Sequence, residues 1–342
     1  MANFVKNLTG EGQTSQFGFR GCDLGFTART NHGYCISLFG DAFDYQPGSS
    51  GWRSPVGLRQ SNTDIQNGIR WDNAIGGAIA KQMIDYIHQT AEDARVRCLD
   101  GFTCIPNDII HLPDGRYIMT TFMVRDWEYR GNTQQMCSTW GTRMWTSTET
   151  NAENWGRTWN LDTNRENMDF WNDGGLKFAR FQNQSMIMWP GERWVYIYGT
   201  REGRQTADSG IYLMRVDWEQ MWRPSAYQFW GIENGTWGWS NGRNPTAILT
   251  VSGWAGEINA QVIGGRVVLA YIENNNAVTT TAPYPTGLWT NRKVQVTGAQ
   301  QPYLYAPNIH PFSTLSNAQM SLSQWQPNGF YGVKQWGGVN LN

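Results

Sequence analysis

Two aspartates, Asp23 and Asp41, stand at the edges of neighbouring apolar runs near the start of the chain. Asp23 directly precedes one run, and Asp41 directly follows the next. If the runs pair as antiparallel strands, the start of one lies beside the end of the other, so both carboxylates meet at one rim of a sheet. Arg20 and Arg53 lie close in sequence to these two aspartates. Cleavage of a glycosidic bond needs a proton donor and a carboxylate, and this group of residues could supply both.

The same pair also fits ordinary turn chemistry. An aspartate next to glycine at the end of a strand is common, because its side chain accepts hydrogen bonds from the local backbone. Taken alone, the two residues favour this simpler interpretation. The stretch around them, from Arg20 to Arg59, predicts a β-meander of three short strands with glycines at their edges.

Aromatic residues dominate the composition. The 342 residues include 19 Trp, 14 Tyr, 14 Phe and 38 Gly, while only 16% are charged. Many flat amphipathic rings and few ionic groups suit neutral ligands such as sugars, or many small stacked sheets. The formal net charge of −1 provides no basic field for DNA or RNA. We therefore expect no nucleic-acid partner.

The cysteines show no metal-binding pattern. There are five, an odd number, with no C-x-x-C and no Cys/His spacing typical of zinc sites: Cys22, Cys35, Cys98, Cys104 and Cys137. They predict mostly buried thiols, and one pairing, Cys98 with Cys104, stays open for an oxidising compartment. We expect no metal and no cofactor.

Short strand signals recur along the whole chain in five sets. Each set spans roughly 50 to 80 residues and reads as a small antiparallel sheet, as in the blades of a propeller. The alternative is a β-sandwich with a second domain, which would usually show a Pro/Gly/Ser linker and a change in composition. The sequence shows neither, so we predict an all-β fold, a single five-bladed β-propeller domain over residues 1–342.

One segment has helical periodicity. Ile79, Met83, Ile84 and Ile87 follow the spacing of one helix face. They predict a helix from about Ala78 to Arg95, inserted on the outside of the sheets.

Several motifs in order resemble one protein family. They are RGCDLG (20–25), LFGDAF (38–43), WRSPV (52–56), CIPND (104–108), WVYIYGTR (194–201), GIYLMRV (210–216), WAGEIN (254–259) and YAPNIHP (305–311). From about Phe19 to Trp336, the chain is similar to five-bladed propellers that were long a family of unknown function. Members of that family are recognised as endo-D-arabinanases, which cut the arabinan of mycobacterial and corynebacterial cell walls.

The resemblance implies an activity and a place of action. It implies hydrolysis of internal D-arabinofuranosidic linkages in arabinogalactan and lipoarabinomannan, with Asp23 and Asp41 as the catalytic pair at one mouth of the axis. The partner would be a cell-wall polysaccharide. The amino terminus lacks a basic region followed by an apolar run, so no signal peptide is visible, and no run is long enough to span a bilayer. We expect an extracellular or virion-associated protein, such as a bacteriophage component.

Other residues in or near these motifs are candidates for binding substrate. They are Arg20, Trp52, Arg53, Asn107, Asp108, Trp254, Glu257 and His310. Simpler interpretations exist: Glu257 as a solvated residue at a strand end, His310 as a structural histidine bonded to backbone, and the tryptophans as residues buried between blades. Trp189 is a further tryptophan with the same two interpretations, a stacking platform or part of the core.

Two functions are compatible with these features of the sequence. One is a glycoside hydrolase that uses the aspartate pair as acid and as base or nucleophile. The other is a non-catalytic sugar-binding propeller, such as a phage receptor-binding module, because a propeller fold by itself does not imply catalysis.

Overall fold

Five antiparallel sheets surround one axis in the computed structural model, which describes residues 2–130, 134–172, 177–201, 210–327 and 329–342. The sheets follow one another along the chain. The innermost strand of each sheet contacts the innermost strands of the two neighbouring sheets, so the five inner strands form a closed ring. The fold is a five-bladed β-propeller, as predicted.

The strands are numbered in chain order, beginning with β1 (Asn3–Asn7). From the axis outward, the first blade contains β2 (Gly21–Arg29), β3 (Cys35–Phe43), β4 (Val56–Gln60) and β5 (Asn73–Ala74). The second contains β6 (Cys104–His111), β7 (Tyr117–Arg130), β8 (Gln134–Ser147), with β9 (Gly156–Arg157) paired to β8, and β10 (Met168–Trp171).

The third blade contains β11 (Asn183–Met188), β12 (Trp194–Thr200), β13 (Gly210–Asp217), β14 (Gln228–Glu233) and β15 (Thr236–Ser240), with β16 (Leu249–Thr250) paired to β13. The fourth contains β17 (Asn259–Ile263), β18 (Arg266–Glu273), β19 (Asn276–Ala282) and β20 (Thr290–Val296). The fifth contains β21 (Leu304–Ile309), β22 (Ala318–Trp325) and β23 (Tyr331–Val339), and β1 pairs with β23 as its outer strand. Both ends of the chain therefore close the ring within one blade.

The described residues contain little helix. The structure has one short α-helix, α1 (Ala91–Val96), and 3-10 turns at Ser15–Phe17, Ile65–Asn67, Lys177–Arg180, Trp218–Gln220 and Pro224–Ala226.

The predicted helix over residues 78–95 is wrong for most of its length, because only α1 at its end is helical. Residues 78–90 follow an irregular path tied to other loops; the Met83 N–H, for example, donates to a carbonyl in the connection between β3 and β4. The apolar spacing was misleading. Met83 is buried between the first two blades, whereas Ile79 is exposed, so the four residues do not share one face.

Apolar cores lie between the blades rather than within one centre. Between the first and second blades, for example, Ile36 and Leu38 pack with Ile109 and Met119. Four of the five cysteines are buried, as predicted, and Cys98 is half-buried.

Polar side chains join adjacent inner strands. Asn259 of β17 accepts a hydrogen bond from the Ile309 N–H of β21 at 2.9 Å. Asn308 of β21 accepts one from the Thr27 N–H of β2 at 3.2 Å. In both cases, a side chain of one blade satisfies a backbone donor of the next.

The second and third blades use the same arrangement. Asp108 of β6 accepts hydrogen bonds from the Ser185 hydroxyl at 2.6 Å and the Met186 N–H at 2.7 Å, both in β11. The Ser185 Oγ in turn accepts one from the Ala260 N–H of β17 at 2.8 Å. We call these four side chains the polar belt: Asp108, Ser185, Asn259 and Asn308.

The first blade is the exception. In each inner strand, the N–H that the belt satisfies belongs to the residue directly after the belt residue. In β2 that N–H belongs to Thr27, so the belt position is Phe26, whose side chain has no hydrogen-bond acceptor. The N–H of Ile109, which Phe26 cannot serve, donates instead to Oδ1 of Asp108 at 2.8 Å. Asp108 therefore compensates for the missing belt residue while it binds the third blade.

We expect Asn308→Ala to lower the free energy of unfolding by about 1–3 kcal/mol, because the buried Thr27 N–H loses its acceptor. Urea denaturation of the purified protein measures the change. Asn154→Ala is the matched control, since Asn154 is exposed and bonds a surface glutamate, and it should change stability by less than about 0.5 kcal/mol. Equal effects of the two substitutions would contradict the role of the belt.

A second prediction concerns Asp108. Burial raises the pKa of its carboxyl to about 7, although hydrogen bonds from Ser185, Met186 and Ile109 oppose the rise. An unfolded aspartate has a pKa of about 3.9. From about pH 4 to about pH 7 the folded protein thus holds a proton that the unfolded chain has released. The stability from this group is present below that window and is lost as pH rises through it.

Asp108→Asn should remove this dependence. Urea unfolding across that pH window should show that the wild type loses stability relative to the variant as pH rises, whatever the constant offset between them. Asp85→Asn, at an exposed carboxylate, should follow the wild-type profile. Parallel profiles for the wild type and Asp108→Asn would count against a protonated Asp108.

Candidate active site at the propeller axis

One end of the axis collects the beginnings of inner strands. Asp23 is the third residue of β2, and Tyr305 is the second residue of β21 in the neighbouring blade. The Tyr305 hydroxyl donates a hydrogen bond to Oδ2 of Asp23 at 2.9 Å. Asp23 is only 6% exposed. A carboxylate of the first blade is therefore held at this end of the axis by the fifth.

Asp41 lies next to Asp23 across the strand pair. The strands β2 and β3 are antiparallel, as predicted, and their register shifts at Asp23, which lies opposite Gly40 and Asp41. A side chain at position 40 would collide with Oδ1 of Asp23, so any residue larger than glycine would displace this carboxylate. Asp41 is half-buried. The bulge thus brings the two aspartates to adjacent positions of one sheet, and bulges commonly redirect side chains at such sites.

The backbone beside Asp23 is held in an unusual conformation. Leu24 has φ of 67° and Gly25 has φ of 90°. Positive φ is uncommon for leucine because the Cβ crowds the backbone. The Leu24 N–H donates to Oγ of Ser323 in β22 at 2.8 Å. The fifth blade therefore also stabilises the turn of the chain that positions Asp23.

A second tyrosine lies close to both aspartates. The Tyr331 hydroxyl donates to the backbone carbonyl of Asp41 at 3.2 Å. Burial of this phenol raises its pKa well above the usual range, and the charges of Asp23 and Asp41 add to the rise. Sequence reasoning missed Tyr305 and Tyr331. The sequence feature that could have identified them is their position at the starts of β21 and β23, in the blade next to the first.

Arg20 and Arg53 lie beside the site but hold its loops. Arg20 forms an ion pair with Glu11 in the loop before β2. Arg53 donates to the carbonyls of Ala80 at 2.8 Å and Gly18 at 2.6 Å. It therefore connects three loops at this end of the propeller, and its predicted contact with substrate stays a prediction, as does that of Arg20.

An aromatic row approaches Asp41 from the surface. Trp52 is 36% exposed, and its ring centroid lies 4.6 Å from that of His88, which lies 4.1 Å from that of Tyr86. Burial raises the pKa of Tyr86, and Asp41 is among the charges that contribute. The row offers a ring surface near the aspartate pair.

The other predicted residues before β17 are less open. Trp254 is half-buried and packs against the core between the fourth and fifth blades. Glu257 is 2% exposed and follows Gly256, whose carbonyl accepts a hydrogen bond from the Thr200 hydroxyl at 3.1 Å. Trp189 packs edge-on against a tyrosine in the core between the third and fourth blades.

Asn107 and Asp108 join blades. The Asn107 side-chain amide donates to the carbonyl of Gln182 at 3.0 Å, between the second and third blades. Asp108 belongs to the polar belt, where both carboxylate oxygens accept protein donors. In this fold the observed contacts of both side chains are structural.

His310 lies at the opposite end of β21 from Tyr305, and its predicted contact with substrate stays a prediction. It directly follows β21, and its neighbour Phe312 packs against Arg29, the last residue of β2. The ring is 1% exposed, with Nε2 2.6 Å from Oε1 of Gln60. Burial lowers its pKa to about 3, so the imidazole is neutral near pH 7.

Within the described ranges, no three His, Cys, Asp or Glu side chains are grouped so that they could hold a metal ion. No helix among the described residues has the length and apolar character needed to cross a membrane.

Solved structures share this fold. A putative hydrolase from Bacteroides ovatus superimposes with a TM-score of 0.62 at 13% identity, covering 95% of this chain and 87% of that one. An exo-β-1,3-galactanase from Phanerochaete chrysosporium with galactose gives 0.52 at 11% identity, over 98% and 64% of the chains. An N-acetylgalactosamine deacetylase from F. plautii gives 0.52 at 9%, over 98% and 94%. At these identities the similarity concerns the fold.

Two curated fungal relatives match by sequence. Notoamide biosynthesis cluster protein J of Aspergillus sp. (strain MF297-2) is 27% identical over 94% of this chain and 84% of its own length. Protein J′ of Aspergillus versicolor is 27% identical over 98% of this chain and 91% of its own length.

The family comparison covers nearly the whole propeller. Residues 9–337 match the family described as "Domain of unknown function (DUF4185)". The chain belongs to the DUF4185 family.

Proposed function

We propose that this protein is an endo-D-arabinanase, a glycoside hydrolase that cleaves internal D-arabinofuranosidic linkages in mycobacterial-type cell-wall arabinan. The observation that carries hydrolysis is the placement of Asp23 and Asp41 at one bulge on the axis, with Tyr305 bonded to Asp23. The arabinan substrate rests on the motif resemblance. The protein would meet arabinogalactan or lipoarabinomannan from outside the cell or as part of a phage particle.

The fold neighbours support a role on carbohydrates. One is by its title an exo-β-1,3-galactanase with galactose, and another is an N-acetylgalactosamine deacetylase. The low charge of this chain and the open ring of Trp52 suit a neutral polysaccharide. Trp52 begins the aromatic row that ends at Tyr86, the ring whose pKa is affected by the charge of Asp41.

The two aspartates would have different roles. A hydroxyl that donates to a carboxylate stabilises its ionised form, so the Tyr305 bond favours Asp23 as the base or nucleophile. The negative charge of Asp23 in turn favours a protonated neighbour, so Asp41 would donate the proton to the leaving oxygen. Whether a water lies between sugar and carboxylate depends on the separation of the two carboxyl groups, about 5 Å for retention and about 6.5–9.5 Å for inversion.

We expect Asp23→Asn and Asp41→Asn each to lower kcat on arabinogalactan by at least about a thousandfold, because each removes one partner of the acid and base pair. The double variant should lose little more than either single variant. Asp85→Asn, at an exposed carboxylate, is the control and should keep wild-type kcat. Released reducing ends measure turnover.

The product pattern tests the endo assignment. The wild type should first release a ladder of oligosaccharides, since internal cleavage precedes free arabinose, and release of arabinose alone would contradict it. The non-catalytic alternative predicts something different: the wild type and both Asp→Asn variants would bind arabinan equally and release no reducing ends.

Tyr305→Phe should separate positioning from catalysis. Loss of its hydroxyl removes the donor to Asp23, so the acidic limb of the kcat/KM profile should move to higher pH while the fold is retained. Tyr303→Phe, at an exposed tyrosine two residues earlier, is the matched control. An unchanged pH profile for Tyr305→Phe would show that the hydroxyl does not act on the ionisation of Asp23.

A further inference from the structure

A cavity lies at the outer strand of the second blade. Its volume is about 490 Å³, within the range of small-ligand pockets. Its wall includes Trp171 and Asp169 of β10, the outer strand of that blade, and residues from the loop before β10. No inner-strand residue lines it. Three steps of about 4.8 Å separate β10 from β6, so the cavity lies roughly 14 Å from the inner ring.

A network of ion pairs lies beneath this cavity, and two of its members, Arg143 and Asp169, line the cavity wall. Arg143 donates to both carboxylate oxygens of Asp169, at 2.7 and 2.8 Å, and also binds Asp100. Arg157 donates to both oxygens of Asp100, at 2.9 and 2.7 Å, and to Asn167. Burial opposes ionisation of Asp100, but the ion pairs outweigh it and hold its pKa below the usual range. The four charged groups are rigid and sum to zero.

The rim is neutral as well and carries an exposed ring. Arg165 and Glu166 contribute one charge of each sign, and Asn160 and Thr163 contribute an amide and a hydroxyl. The Trp171 side chain is 42% exposed, although it lies on a structured strand. A flat ring beside amide, hydroxyl and fixed ionic groups, without net charge, is the chemistry that recognises sugar rings and their hydroxyls.

We propose that this cavity is a second carbohydrate-binding site, which takes a segment of a neutral polysaccharide chain by stacking one sugar ring on Trp171. The site does not depend on the proposed cleavage at the axis. In a protein that does cleave such a chain, it would hold the polymer near the axis and raise the local concentration of linkages.

Affinity gel electrophoresis tests the proposal. The probes are soluble D-arabinan, galactan and xyloglucan, with polygalacturonate as a charged polymer, and the parent protein carries Asp23→Asn so that no probe is degraded. Trp171→Ala should weaken retention by at least one neutral polymer about tenfold, the effect of one lost stacking contact. Trp171→Tyr should restore most of it. Thr163→Arg, which places a long charged side chain at the rim, should reproduce the loss.

Trp159→Ala is the matched control, because Trp159 is 48% exposed on the same blade and does not line the cavity. It should leave retention unchanged. Retention unaffected by Trp171→Ala, equal losses for both tryptophan variants, or Trp171-dependent binding of polygalacturonate alone would overturn the proposal.

The two proposals fail separately. In the wild-type background, Trp171→Ala should leave kcat/KM on a short arabino-oligosaccharide unchanged and lower the rate on the polymer. If the wild type cleaves none of the polymers but Trp171-dependent retention persists, the proposed function fails and the second site stands. If arabinan is cleaved and retention does not depend on Trp171, the proposed function stands and the second site fails.

Discussion

The fold depends on how five inner strands share one axis. Adjacent inner strands belong to different sheets, so some of their N–H groups have no ladder partner, and a buried donor without an acceptor costs about 1–3 kcal/mol. The polar belt supplies acceptors from Asp108, Ser185, Asn259 and Asn308. Each belt contact also fixes one inner strand at a set height relative to the next. The belt therefore stabilises the ring and aligns it.

This alignment places the candidate active site. Asp23 lies three residues before the belt position of its strand, Phe26, and Tyr305 lies three residues before Asn308. Equal offsets bring the two side chains to the same height, where they form their hydrogen bond. Both strands are bulged at this level. The belt holds the strands regular below the bulges, so the irregular backbone is confined to the end where the carboxylates are needed.

The blades and the proximity of the two aspartates could be predicted from the sequence. Recurrent strand patterns and turn glycines predict the blades, and the antiparallel pairing of β2 and β3 brings Asp23 beside Asp41. The helix over residues 78–95 failed because the spacing of four apolar residues does not show which of them a neighbouring loop will bury. His310 and Tyr305 both lie in the motif of the fifth blade, yet they occupy opposite ends of β21. Only the height of each residue along the strand separates them, and that height is a tertiary property.

Around the outer cavity, as in the belt, buried polar groups need partners. A buried ion pair is expensive to break, about 3–5 kcal/mol when one partner is removed, so Arg143, Arg157, Asp100 and Asp169 form a unit that must stay complete. Such a unit keeps its donors and acceptors in fixed positions. The rim above it, including Trp171, makes no belt contact and closes no ring, so it can change without disturbing the propeller. Substitutions at the exposed rim would therefore change the surface offered to a ligand at little cost to stability, since surface substitutions away from such networks usually change the free energy of unfolding by less than about 0.5 kcal/mol.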